Sequence, residues 1–357
     1  MTSYNIDVII NSYNLSSQMY RIEQLKQLEP EHYQAWKVLW DSTPDAHFFN
    51  SPSWFSSYLD AFGDQKYIVF FCYFRDELVA VVPLVETRKY GIKSLASVAK
   101  GQKFLDRSTL LLAKKDPALA GYLLKKIGTR YNLYLAELEE TNANVFMNSG
   151  QNQFAAFSVV CPRMNIGNDV LATLSRKQKK SLKKKIMKNE KNITFEMHRD
   201  HLGQHLATMF ELERRSHKRS KGISIFEKQD LRKLYRSLVK HAKEHIGIAF
   251  LHHQGTPIAH RFGYIYKGTF LSVHVAFDDQ FRKLGPGKLL LYYCLDYFRK
   301  NKIRVLDFSV GDNYLKSQFS DGKISQYHIF YGRSAYVRSW WLVMNGLKKT
   351  FNLLGRH

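Results

Sequence analysis

Cysteine is scarce in this chain, and so is negative charge. Its three cysteines, Cys72, Cys161 and Cys294, stand far apart in apolar stretches without metal-like spacing. That pattern predicts reduced core thiols in a cytoplasmic protein and argues against both a disulfide framework and a zinc site. No run of about 18 uncharged apolar residues occurs. The opening Met1-Thr-Ser-Tyr-Asn lacks the basic and apolar regions of a secretory signal, so the chain is expected neither to span a membrane nor to leave through one unaided. Only 31 Asp and Glu face 54 Lys and Arg, a net charge of +23. Such a surface attracts polyanions and anionic membranes, which makes peripheral association with the inner face of a membrane an expectation. With 357 residues, 45% of them hydrophobic, the chain is too apolar for a disordered or fibrous protein and long enough for two modest cores.

What the chain does have is a glycine loop in an informative place. Arg282-Lys-Leu-Gly-Pro-Gly287 lies between a strand-like stretch, Phe270 to Phe277, and a helix-like one, Lys288 to Phe298. Glycines let backbone approach a ligand, and the N–H groups of a helix's first turn favour an anion. Pro286 suits that first turn, where its missing N–H is no loss. A strand, a glycine loop and a helix start in this order form a cradle for pyrophosphate. Ahead of the loop, Gly247 to His253, Ile258 to Tyr266 and Thr269 to Phe277 read as strands joined by turns at Gln254 to Pro257 and at Lys267-Gly268. After it come a helix and a strand, Ile303 to Ser309.

This order resembles the GNAT acyltransferase core, in which the loop holds the pyrophosphate of an acyl-CoA. Leu306-Asp-Phe308 followed by Ser309-Val-Gly-Asp-Asn-Tyr-Leu-Lys316 is similar to the Asp-Phe-x-x-Gly-Asp-x-x-Tyr-Lys signature of the CelD/BcsL-type acetyltransferases. Gly255-Thr-Pro-Ile-Ala259, Val275-Ala-Phe-Asp278, Phe49-Asn-Ser-Pro-Ser-Trp-Phe55 and Leu78-Val-Ala-Val-Val-Pro-Leu84 fall where that family has similar residues. The resemblance spans roughly Phe48 to Arg333, with its specificity concentrated between Arg282 and Lys316.

Along the chain, a polar leader and a helix from Glu29 to Trp40 (1–41) precede a lobe at 42–168. A second lobe at 169–335 repeats its plan of helix, strand pair, long connection, helix and strand. A basic and aromatic helix ends the chain at 336–357, and its Trp and Leu residues suit either docking on the protein or a membrane interface. The expected fold is α/β, or α+β: two tandem GNAT-like lobes, each a mixed, mostly antiparallel sheet flanked by helices, a layout similar to the Fem-type peptidyltransferases. Between the lobes, nine of the seventeen residues from Ser175 to Lys191 are basic and only Glu190 is acidic. Leu171, Leu174, Leu182 and Ile186 recur at helical spacing there, so a helix with one apolar stripe and a wide basic face is expected. Arg176, Lys180 and Lys184 on that face are candidates for binding an anionic acceptor. A second basic cluster comprises Arg214, Arg215, Lys218, Arg219 and Lys221.

Acyl transfer to an amine needs a base, a polarised carbonyl and a proton for the departing thiolate. His274 lies on the strand before the loop, where period two puts it on one face with Ser272; it is a candidate base or an ordinary core histidine. Asp307 ends a strand, a position where α/β sites form; it could take the amine's proton, or serve only the Gly311 turn and Lys316. Tyr314 stands where GNAT enzymes often place the acid that protonates the thiolate. Lys316 suits phosphate or carboxylate binding. By the resemblance, Arg282, Lys283, Leu284, Gly285, Gly287 and Lys288 hold acetyl-CoA or another acyl-CoA, and no metal is needed. His241-Ala-Lys-Glu-His245 formally matches an inverted zincin motif, but apolar and basic neighbours favour a scaffold helix.

The function this reading predicts is acyl-CoA-dependent N-acylation of a small-molecule or lipid-linked anionic precursor of the envelope or of an exopolysaccharide. One alternative keeps the fold and takes the acyl group from charged tRNA, as Fem-type enzymes do. Another is a non-catalytic basic module that binds nucleic acid or membrane.

Overall fold

The computed structural model describes residues 19–63, 66–99 and 106–354, with side chains to residue 347. In chain order the first half contains β1 (Tyr20–Leu25), α1 (Pro30–Ser42), α2 (Pro52–Phe62), β2 (Tyr67–Phe74), β3 (Glu77–Lys89), β4 (Ile92–Ser97), β5 (Leu111–Leu112), α3 (Pro117–Gly128), β6 (Leu133–Glu139), α4 (Glu140–Met147) and β7 (Gln153–Asn165). The second half contains α5 (Arg176–Asn189), β8 (Ile193–His198), α6 (Leu202–Arg214), α7 (His217–Ser220), α8 (Gln229–Ala242), β9 (Ile246–His253), β10 (Thr256–Tyr266), β11 (Thr269–Phe277), α9 (Pro286–Lys300), β12 (Val305–Asp307), α10 (Tyr314–Phe319), β13 (Gly322–Tyr331) and α11 (Ala335–Leu354). The polar leader of the sequence reading lies mostly outside the described residues.

Two compact units form, and neither is continuous in sequence. One takes Met1–Pro52, Asp64–Val159 and Ser325–His357; the other takes Ser53–Gly63 and Val160–Ile324. The sequence predicts a linear division at 42–168, 169–335 and 336–357. The units depart from it because pairing, not chain order, assigns a segment: Gln326 to Tyr331 of β13 lie antiparallel to β6 in the first unit. Helix α11 belongs there too, where Trp341 is buried and its Nε1 donates to the carbonyl of Lys89 at 3.1 Å.

In the first unit the strand order is β1-β2-β3-β4-β6-β13, with β5 paired to β3. Among the described residues of this unit only β4 and β6 run parallel, and α3 makes the crossover between them. Leu119, Leu123, Leu124 and Ile127 repeat at helical spacing on α3 and bury its face against the sheet. Asp116 caps that helix by accepting from the Ala118 N–H at 2.8 Å.

The second unit follows the same plan, in the order β7-β12-β11-β10-β9-β8. Strands β11 and β12 run parallel, joined through α9, whose Leu290, Leu291, Cys294, Leu295 and Phe298 are buried. The mixed, mostly antiparallel sheet with flanking helices is the class the sequence predicts. Basic helix α5 begins at an intact capping box of Ser175 and Gln178. Leu171 and Leu174 therefore lie in the turns before it, so its apolar stripe is shorter than expected: Leu182 is buried and Ile186 half-buried.

Candidate active site

Strand β11 leads straight into the glycine loop. Asp278 caps a 3-10 turn over Asp279–Leu284, and Gly285, at φ +67°, is the hinge from which α9 starts with Pro286 as its first residue. A β-carbon on Gly285 would meet the Lys185 ammonium at 2.8 Å. Left-handed backbone and that close approach are why glycine stands here. Lys185 comes from α5, and its Nζ lies 3.5 Å from the Lys283 carbonyl. Lys288, on the first turn of α9, donates to Gln318 at 3.1 Å. Burial, together with the nearby charge of Lys185, lowers its pKa. Two ammonium groups thus lean on one helix N-terminus, which like charges do at a cost unless an anion sits between them. Gly287 has room for a β-carbon, its nearest neighbour being the Phe277 ring at 3.8 Å. Arg282 is exposed and paired with Asp279 at 2.9 Å, and Leu284 packs on the core.

Beside the loop the sheet splays. Strand β12 pairs with β11 only from Thr269 to Leu271 and ends at Asp307, whereas β11 continues to Phe277. Among the described residues no strand lies alongside that edge of β11 from Ser272 onward, so its backbone can pair with an extended ligand.

A bulge sits at the same point. Phe262 pairs with His274 and Gly263 with Ser272, leaving Val273 as an extra residue. The period-two expectation that Ser272 and His274 share a face is therefore corrected: the extra residue reverses the alternation between them. Ser272 accepts from Arg261 at 2.7 Å, and Arg261 in turn bonds Cys294. His274 faces the other way and stacks on His260, with ring centroids 5.2 Å apart.

On that face His274 meets the carboxylate of Glu213, from α6, and the ammonium of Lys218 at 3.0 Å. Glu213 is fully buried, and its Oε1 accepts from the Ser224 hydroxyl and the Ile225 amide, each at 2.7 Å, and from the Phe226 amide at 3.3 Å. Burial alone would raise the Glu213 pKa. Contact with His274, the charge of Lys218 and the Ser224 bond outweigh that and bring it down to about 2. Burial, then the Lys218 charge, lowers His274 to about 4 in spite of Glu213. Glu213 is ionised, since its hydroxyl and amide donors and the nearby Lys218 charge suffice without a charged imidazole. At neutral pH the site holds a carboxylate, an ammonium and a neutral imidazole, the form of histidine that accepts a proton.

Sequence reasoning reached His274 and missed Glu213, Lys185 and His260. For Glu213 a signal existed: it follows Leu202, Leu206 and Met209 at the spacing of the buried face of α6, where an acid is out of place. Nothing in the run of lysines distinguished Lys185.

Asp307 is buried and accepts from Arg163 at 2.7 Å and from the Ser309 amide at 2.8 Å. That amide belongs to a residue at φ +62°, so the carboxylate holds a strained turn in place. Lys316 donates to the carbonyls of Val310 at 2.8 Å and Gly311 at 2.9 Å. Tyr314 opens α10 and is 78% exposed. The other candidates lie apart: Arg176, Lys180 and Lys184 line an open groove on α5 with Lys183 and Met187. The second basic cluster divides, because Arg215 pairs with Asp278 at 2.9 Å while Lys218 is drawn inward to Glu213 and His274. In the zincin-like segment His241 is held by Asp60 at 2.6 Å, whereas His245 lies past the end of α8. Among the described residues no group of three His, Cys, Asp or Glu could hold a metal ion, and no helix is long and apolar enough to cross a membrane.

Residues 176–317, which contain the loop, the splay and the buried cluster, match the family model described as an acetyltransferase (GNAT) domain. That stretch of the chain is similar to a GNAT acetyltransferase domain. Of solved structures, FemX is similar over 85% of this chain and 96% of its own, at 12% identity and a TM-score of 0.58. The C-terminal domain of a putative lysylphosphatidylglycerol synthetase from Agrobacterium fabrum is similar over 89% and 95%, at 10% identity and a TM-score of 0.56. L-PGS from Bacillus licheniformis is similar over 89% and 96%, at 12% identity and a TM-score of 0.55. At such identities the likeness is one of fold alone. No curated protein matches the chain in sequence.

Proposed function

We propose that the chain is an acyl-CoA-dependent N-acyltransferase, with acetyl-CoA as the simplest donor and an amine on an anionic envelope or exopolysaccharide precursor as acceptor. The observation that carries this reading is the convergence of Lys185 and Lys288 on the helix start at Gly285 and Pro286, at the end of a strand whose edge has just been opened. An anionic pyrophosphate fits the first feature, and an extended thioester arm fits the second.

In this reading the acceptor nitrogen attacks the thioester carbonyl, the carbon–sulfur bond breaks, and the amine's proton passes to neutral His274. Glu213 keeps the imidazole oriented and stabilises it once charged. The thiolate takes a proton from Tyr314 or from water. Asp307 supports the site by fixing the Ser309 turn through its bonds to Arg163 and the Ser309 amide.

A charged-tRNA donor is the second reading, favoured by the nearly acid-free face of α5. Calorimetric titration with acetyl-CoA decides between them. Binding that is lost in Gly287→Asp, which adds a side chain and a negative charge to the loop, supports the first reading. Absence of acetyl-CoA binding, with tRNA retained through moderate salt, supports the second.

A further inference from the structure

The second unit contains a cavity of about 710 Å³ between α6 and α8 that has no residue in common with the glycine loop. Arg214, Arg219, Arg232 and Arg236 line it, and Ser224 and Phe226 form part of its wall. Two of these arginines are neutralised locally: Arg214 is bidentate to Glu211 at 2.7 and 2.8 Å, and Arg219 meets Glu227 at 3.3 Å. Arg232 and Arg236 have no side-chain partner among the described residues. They stand one turn apart on α8, where like charges repel, and the burial of Leu231, Leu234, Tyr235 and Leu238 fixes the helix rotation that turns them to the cavity. Concave walls focus such charge, and paired guanidinium forks match phosphate oxygens.

The cavity also adjoins the proposed base. The Ser224 hydroxyl and Phe226 amide bind Glu213, and the Phe226 ring lies 4.8 Å from the His274 ring. We infer that this cavity binds a phosphate or diphosphate group through Arg232 and Arg236; on the acyltransferase reading, which this assignment of the ligand rests on, that group belongs to the acceptor. The protein would then hold two anions at separate places: the donor's at Lys185 and Lys288, and the acceptor's one aromatic ring from His274.

Calorimetric titration of the full chain with inorganic diphosphate, and separately with acetyl-CoA, tests this. Arg232→Ala with Arg236→Ala, placed in Lys185→Ala so that the donor loop does not compete, should weaken diphosphate binding about tenfold or more, and in the otherwise unchanged chain should leave acetyl-CoA binding and the melting temperature unchanged. Lys185→Ala should weaken acetyl-CoA binding and leave the diphosphate site at Arg232 and Arg236 in place. Unchanged diphosphate binding in the arginine variant overturns the inference, as does loss of both ligands together in a folded protein. If wild type binds no acetyl-CoA while diphosphate still depends on Arg232 and Arg236, the acyltransferase reading falls and the anion site stands. Uridine diphosphate and phosphatidylcholine vesicles carrying undecaprenyl diphosphate, tested in parallel, tell a soluble nucleotide source from a lipid-linked one.

Discussion

Glu213 holds the Nε2 edge of the buried His274 ring, and the Lys218 ammonium reaches the same nitrogen at 3.0 Å. Three ionisable groups on one small volume make the unit's stability depend on their protonation states. His274 titrates in the fold at about 4 against an ordinary 6.5. Between those values the unfolded chain binds a proton that the fold refuses, so the stabilisation is complete above 6.5 and is lost as pH falls toward 4. A shift of this size corresponds to roughly 3 kcal/mol. Urea denaturation at pH 7, 5.5 and 4.5 should show the decline, and a flat profile would contradict the neutral imidazole.

His260 offers a cleaner variant. Both of its ring nitrogens are buried without a hydrogen-bond partner, and burial, followed by the charges of His274 and Lys218, lowers its pKa well below the usual range. His260→Phe removes an unsatisfied polar group while keeping a ring against His274. The variant should match or exceed wild type in stability at pH 7 and gain further below pH 6, read from melting temperatures across that range.

Glu213→Gln should cost about 2–3 kcal/mol, because it leaves the half-buried Lys218 ammonium without its counter-charge. Adding Lys218→Met should recover part of that loss, so a double-mutant cycle is expected to show strong coupling. Strictly additive effects would mean the two charges do not sense each other.

At the donor loop, Gly285→Ala forces a side chain into left-handed backbone and against Lys185. A strain of about 1 kcal/mol in the free protein and about a tenfold loss of acetyl-CoA affinity are expected, with Lys185→Ala losing affinity but no stability. Calorimetry and thermal melts on both variants separate the two effects.

Gly263 is the partner the bulge requires. A β-carbon there would lie 2.5 Å from both the Leu271 carbonyl and the Phe270 ring. Backbone cannot move aside as a flexible side chain can, so Gly263→Ala should destabilise the unit by about 2 kcal/mol or more. A melting temperature equal to wild type would show that β10 and β11 can re-register without the bulge.

Periodicity and turn chemistry made most of the second unit readable without coordinates. The turn at Lys267-Gly268, the strands around it, the capping box at Ser175 and the helix starting at Pro286 all arise from interactions within a few residues, and local sequence specifies those. His274 could be picked out as a polar residue in an apolar strand, but not the direction it faces. One unpaired residue, Val273, reverses the alternation, and that depends on how β10 packs against β11. Glu213, Lys185 and Arg163 reach their partners from segments 61, 100 and 144 residues away from His274, Gly285 and Asp307. No periodicity records such separations. The sequence by itself determined the local elements, the basic charge and the glycine loop; the tertiary structure alone decided which lysine meets the loop and which acid meets the histidine, because burial and pairing over long separations are properties of the packed chain.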